Sequence, residues 1–120
     1  MIKVSGTKIK MTRGDTLRTK VNLTKDGEAY EPASGDTVRF AMRPAGLNAA
    51  GTEYASPICI DKEIDTSTMI LELEPSDTAS LGFGAYVYDV EVTLADGSVD
   101  TPIASASLTL TPEVATNGTD

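Results

Sequence analysis

Residues 85–94 read Ala-Tyr-Val-Tyr-Asp-Val-Glu-Val-Thr-Leu, and their two-residue period decides the fold class. Tyr86, Tyr88, Val90, Val92 and Leu94 fall on one side of an extended chain, with Asp89, Glu91 and Thr93 on the other. A helix would scatter those five apolar residues around its circumference, whereas a strand gathers them on one buried face. The same alternation recurs along the chain. Thr16–Leu23 sets Leu17, Val21 and Leu23 against Arg18, Lys20 and Asn22. Thr37–Met42 turns Val38, Phe40 and Met42 inward, Thr68–Leu73 does so with Met69, Leu71 and Leu73, and Ala104–Leu110 with Ala104, Ala106, Leu108 and Leu110. Shorter strands are expected at Ile2–Val4, Lys8–Met11, Ile58–Ile64 and Ser98–Ile103.

Turn residues punctuate these runs. Asp26-Gly27 and Asp96-Gly97 each sit between apolar alternations and predict hairpins, because Gly takes a positive φ without a steric penalty. Arg13-Gly14-Asp15 and Ser34-Gly35-Asp36 mark entries into strands, where an Asp carboxylate bonds nearby backbone amides. The Arg-Gly-Asp tripeptide is therefore read as turn chemistry, not as a cell-adhesion motif. One helical turn is predicted over Pro75–Leu81, with Ser76 or Asp77 as its N-cap and Gly82 as its stop. Eight or nine short strands at this spacing describe an all-β antiparallel sandwich. Residues 1–112 are assigned to a single domain and residues 113–120 to a polar C-terminal tail.

The 120 residues suffice for one core. A net charge of −8 repels phosphate backbones and anionic lipid, and the ten Lys and Arg form no run, so neither nucleic acid nor membrane is expected as a partner. Cys59 is the only cysteine, which excludes an intramolecular disulfide. The opening MIKVSGTKIKMTRGD lacks the apolar stretch of a signal peptide and predicts synthesis in the cytosol.

The chain has no histidine, which removes Ser-His-Asp and Cys-His chemistry and histidine-ligated zinc together. Cys59, between Ile58 and Ile60, reads as an inert core or sheet residue. Paired carboxylates exist at Asp61, Glu63 and Asp65 and at Asp89 with Glu91. Their spacing of two places them on exposed strand faces, and with 5% aromatic residues and no Trp there is little to stack a sugar. Asp61–Asp65 also lacks a calcium-loop pattern. No catalytic residue, metal ligand or cofactor is assigned.

The order Met11-Thr-Arg-Gly-Asp-Thr16, Gly35-Asp-Thr-Val-Arg-Phe40, Leu73-Glu-Pro-Ser-Asp-Thr78 and Gly84-Ala-Tyr-Val-Tyr-Asp-Val-Glu-Val92, followed by an Asp-Gly hairpin and a Thr/Leu strand, resembles a family of small phage proteins. It is similar to the N-terminal domain of upper baseplate proteins from siphophages and prophages of Gram-positive hosts, over about Lys8 to Leu110. The resemblance implies an immunoglobulin-like β-sandwich and a structural role in the virion, in contact with other tail or baseplate proteins or further copies of itself. A cell-surface carbohydrate- or protein-binding module is the alternative, and a small hydrolase ranks below both.

Arg43–Ser56 reads as a long loop in which Leu47 and Tyr54 have no evident core position. These two are the candidate interaction residues. Self-association is expected through this loop or an edge strand and, given the acidic net charge, is expected to strengthen with ionic strength.

Overall fold

A computed structural model describes the backbone of residues 2–4, and residues 8–25 and 27–112 in full; the assigned tail at 113–120 lies outside them. Ten strands and one helical turn follow in order: β1 (Ile2–Val4), β2 (Ile9–Thr12), β3 (Leu17–Lys20), β4 (Leu23–Lys25), β5 (Glu28–Ala29), β6 (Thr37–Pro44), β7 (Ile60–Ile64), β8 (Ile70–Leu73), α1 (Pro75–Thr78), β9 (Gly84–Thr93) and β10 (Val99–Thr111). They form a five-stranded sheet in the order β2-β10-β9-β6-β7, a three-stranded sheet β1-β4-β5 and a two-stranded sheet β3-β8. The fold is all-β. Its pairing is antiparallel except where β2 runs parallel to β10, a direction that alternation of side chains does not encode.

All three sheets contribute to one core. Val38, Phe40 and Met42 of β6 and Tyr86, Tyr88, Val90 and Val92 of β9 meet Leu71 and Leu73 of β8, Leu23 of β4, and Val21 and Met69 beside them. Phe40 is fully buried, with its ring centroid 5.2 Å from that of Tyr88. Of the residues expected inside, Leu17 and Leu94 are only partly buried, packed at the margin of the core.

Besides Thr68–Leu73, which is a strand only from Ile70 because Met69 turns at φ +55°, three strand expectations change. Thr16–Leu23 is broken after Lys20: the Val21 N–H donates to Met69 O (2.7 Å), and the chain then leaves β8 to pair with β1. Ser98–Ile103 and Ala104–Leu110 are one strand, β10, with register shifts on either side of Ile103. Ser105 adopts φ +52°, and its N–H donates to Asp89 Oδ1 (2.7 Å). The extra residue rotates the strand, so Ile103 is buried and Ala104, expected inward, is exposed. The third concerns Ile58, which lies outside β7.

The helical turn forms within the predicted span, but its N-cap is Glu74 and neither Ser76 nor Asp77. Asp77 sits in the first turn, where its Oδ2 accepts the Glu74 N–H (2.7 Å) and pairs with Lys62 Nζ (2.6 Å). Thr78, buried at the end of α1, accepts the Gly14 N–H (2.8 Å) through Oγ1. Arg13 donates to Leu81 O (3.1 Å), and its guanidinium carbon lies 4.1 Å from the ring centroid of Phe83. The Arg-Gly-Asp turn is thus a clamp on the α1 corner.

Strands pair on either side of both predicted turns, although Asp26 itself lies outside the described residues. One closes at Lys25↔Glu28 with Gly27 at φ +84°. In the other, Leu94 N–H donates to Ser98 O (2.8 Å) and Gly97 takes φ +92°. Asp36 fastens the second hairpin to the entry of β6. Its carboxylate accepts the Tyr30 O–H (2.7 Å), the Ala33 N–H (2.9 Å) and the Ala95 N–H (2.9 Å). A Cβ at Gly35 would lie 2.9 Å from the Ala95 Cβ, so the close approach requires glycine as well as its φ of +93°.

Two measurements test this account. Phe40→Ala should lower the unfolding free energy by ~3–5 kcal/mol in urea titration, the cost of an unfilled core cavity. The second concerns pH. The Ala33 N–H and then the Tyr30 hydroxyl hold Asp36 below the usual carboxylate range, while burial and then the Asp36 bond push Tyr30 well above the usual phenol range. A depressed carboxylate stabilises the fold above its unfolded pKa and loses that contribution as pH falls through the folded one. A raised phenol stabilises fully below about pH 10 and loses its contribution as pH rises beyond. Tyr30→Phe should therefore show a smaller loss of stability between about pH 7 and about pH 11 than the parent chain.

Candidate interaction surface

The chain between β6 and β7 folds over the outer face of the five-stranded sheet as a small hairpin. Leu47 and Tyr54 form an antiparallel bridge, and Asn48 N–H donates to Glu53 O (2.8 Å) while Ala55 N–H donates to Gly46 O (2.9 Å). The Asn48 side chain closes the tip, its Oδ1 accepting the Thr52 N–H (3.0 Å) and its Nδ2 donating to Thr52 Oγ1 (3.2 Å). Gly51 supplies the positive φ of +71°. The expected irregular loop is therefore a hydrogen-bonded excursion that positions its side chains.

Those side chains divide. Leu47 is 53% exposed at the bridge, whereas Tyr54 is partly buried against the sheet. Tyr54 and Ile58 line a cleft of ≈ 270 Å³ with Ala41 and Arg43 of β6 and Val87 and Asp89 of β9. Ile58 is 43% exposed. It belongs to this surface and was missed because it was counted into a strand; Pro57 immediately before it was the available signal that the strand begins later.

Cys59 corrects a second expectation. It is exposed, not in the core. Its N–H donates to Met42 O (2.8 Å) and its thiol approaches the same carbonyl (3.4 Å). Partial desolvation pushes the thiol pKa up, which favours the unreactive protonated form.

The carboxylates named from the sequence are dispersed into separate structural roles. Asp61 forms a bidentate pair with Arg39, and the Nε contact measures 2.6 Å. Asp65 Oδ1 accepts the Ser67 N–H (2.9 Å), and Asp89 holds the β10 bulge. Glu91 lies opposite Arg39 in the β6–β9 ladder. The Arg39 hydrogen bond holds Asp61 below the ordinary carboxylate range, and the Ser67 hydroxyl does the same for Asp65. Among the described residues no three Cys, Asp or Glu side chains converge as a metal site.

No protein-family model matches this chain, and no curated protein matches it in sequence. The surface combines an exposed Leu47 on a hydrogen-bonded hairpin, an exposed Ile58 beyond it and the cleft beside Tyr54. Because Leu47 supports little of the fold, Leu47→Asp should leave the unfolding free energy within ~0.5 kcal/mol of the parent in urea titration.

Proposed function

We propose that the chain is an immunoglobulin-like β-sandwich serving as a non-enzymatic structural module of a phage tail or baseplate. It works through protein–protein contacts, with other tail or baseplate proteins or further copies as partners. The observation that carries this reading is the presentation of Leu47 and Ile58. Leu47 is left in solvent by a hairpin whose backbone is hydrogen-bonded into place, and Ile58 by the segment that leads from it to β7. A surface of that kind gains free energy when a partner covers it.

Strand order supports the immunoglobulin-like part. The sequence β10-β9-β6-β7 in one sheet, with β4 and β3 joining β1 and β8 opposite, corresponds to the G-F-C-C′ and A-B-E layers of that architecture. Tyr86, near the start of β9, donates its hydroxyl to Gly82 O (2.8 Å), the geometry of a tyrosine corner at the turn between the layers. The cysteine pair and Trp of antibody domains are missing, and the tilted Phe40–Tyr88 pair occupies the centre of the core.

Sugar binding is less well supported by the same cleft. Of its lining residues only Tyr54 offers an aromatic ring outside the core, since Tyr88 is buried. A pyranose held by stacking calls for more aromatic surface than that.

Mass spectrometry of purified particles from the producing strain should find the protein at a stoichiometric level with tail components. Leu47→Asp together with Ile58→Asp should lower its incorporation while the soluble protein stays folded. Purified particles that lack the chain would refute the virion role.

A further inference from the structure

The net charge of −8 conceals a division along the chain. Residues 8–25 carry six Lys or Arg against Asp15 alone, and residues 60–77 carry six Asp or Glu against Lys62 alone. The two segments meet where β3 pairs with β8 and Arg18 faces Glu72, but their first strands, β2 and β7, lie apart. β2 and β7 are the two edge strands of the five-stranded sheet, four strand spacings or roughly 19 Å apart.

On the β2 side, Lys8 and Lys10 are exposed, and Lys8 lines a narrow cleft together with Lys20, which extends the basic surface to β3. Lys8, Lys10 and Lys20 have no ion-pair partner among the described residues. On the β7 side, Arg39 of β6 pairs with Asp61, and Lys62 pairs with Glu74 and Asp77 at α1, while the exposed Glu63 and the following Asp65 have no ion-pair partner among the described residues. Lys62 shares the inward side of β7 with Ile60 and Ile64, and an inward charge of this kind discourages indiscriminate strand pairing.

We infer that copies of this chain join edge to edge, the lysine-bearing β2 side of one against the acidic β7 side of the next. The inference rests on the assembly role proposed above and names its partner: a second copy. Direction agrees with charge. β10 is parallel to β2, and each later step across the sheet to β7 is antiparallel, so β7 runs antiparallel to β2. A neighbour displaced across the sheet therefore meets β2 with an antiparallel edge, the more stable pairing. Pairing β2 with β2, or β7 with β7, sets like charges together and is disfavoured. What remains is a heterologous contact that leaves one free edge at each end and builds rows or rings.

The sign of the salt dependence follows. Net charge alone leads one to expect tighter association at high salt, but a contact between opposite charges weakens as the screening length falls from ~10 Å at about 0.1 M to ~3 Å at about 1 M salt. Sedimentation equilibrium of the full chain should show association that is weaker by tenfold or so across that range. Lys8→Gln with Lys10→Gln in one chain, and Glu63→Gln in another, should each weaken self-association by about the same factor. Both variants should keep the parent's circular dichroism and unfolding midpoint.

Mixing the two decides the geometry. One retains a working acidic edge and the other a working basic edge, so the mixture should form a 1:1 dimer that grows no further. A chain that stays monomeric at both salts, or a mixture that restores nothing, overturns the inference. Association that strengthens with salt also overturns it, and points to the apolar surface of Leu47, Tyr54 and Ile58 instead. Edge pairing in a chain that purified particles lack would remove the virion role alone, so the two failures are separable.

Discussion

Strand β9 is paired on both flanks, to β6 from Thr37 to Pro44 and to β10 from Val99 to Leu110, and this double ladder constrains the rest of the molecule. With a side-chain period of two, a one-residue slip of β9 would expose Tyr86, Tyr88, Val90 and Val92 together. The slip is opposed from both sides at once: Phe40 lies opposite Val90 and packs on Tyr88, while Leu108 lies opposite Tyr86. Register in three strands is therefore one decision. The smaller sheets then have a formed apolar surface to cover.

What remained was to hold the ends, and hydrogen bonds from turn residues do this. Asp36 joins the approach to β6 with the β9–β10 hairpin, and Thr78 joins the α1 corner with the turn after β2. The two Gly-Asp-Thr stretches look alike in sequence and enter strands alike, yet different atoms carry the ties. In the second it is the Asp36 carboxylate. In the first it is the Gly14 amide and the Arg13 guanidinium, which reaches Leu81 O and covers Phe83. A tripeptide engaged through its backbone and its arginine in this way is occupied with the fold.

Periodicity made the strands legible because burial on one face leaves its mark on every second residue. It failed where a partner distant in sequence makes the decision. Nothing in Ser105 announces a left-handed backbone; the stabilising acceptor is Asp89, sixteen residues earlier. The break after Lys20 is equally non-local, since Val21 turns its amide to Met69 O before the chain changes sheets. Cys59 was readable and misread: with Ile60 buried at the head of β7, the two-residue period already places its neighbour outward. Leu47 and Tyr54 stood out in the sequence because no alternation claimed them, and the structure pairs them as a β-bridge. The Asn48–Thr52 bonds that order their hairpin depend on a turn the residue types only permit.

Summed charge was the least informative quantity, and the reason is geometric. A net value describes the field at distances large compared with the molecule, whereas a contact feels only charges within about a screening length. Lys10 and Glu63 stand on the two outermost strands of the same sheet, farther apart than that length at physiological salt, so each edge presents its own sign to a neighbour. Chain order produced the separation: β2 and β7 are far apart in sequence, and the sheet places three strands between them. A fold that ends its widest sheet in unlike edges has direction across that sheet, and direction is what an element must have to be added repeatedly in one sense. The cleft beside Tyr54 opens over the interior strands β6 and β9, so occupying the edges leaves it uncovered.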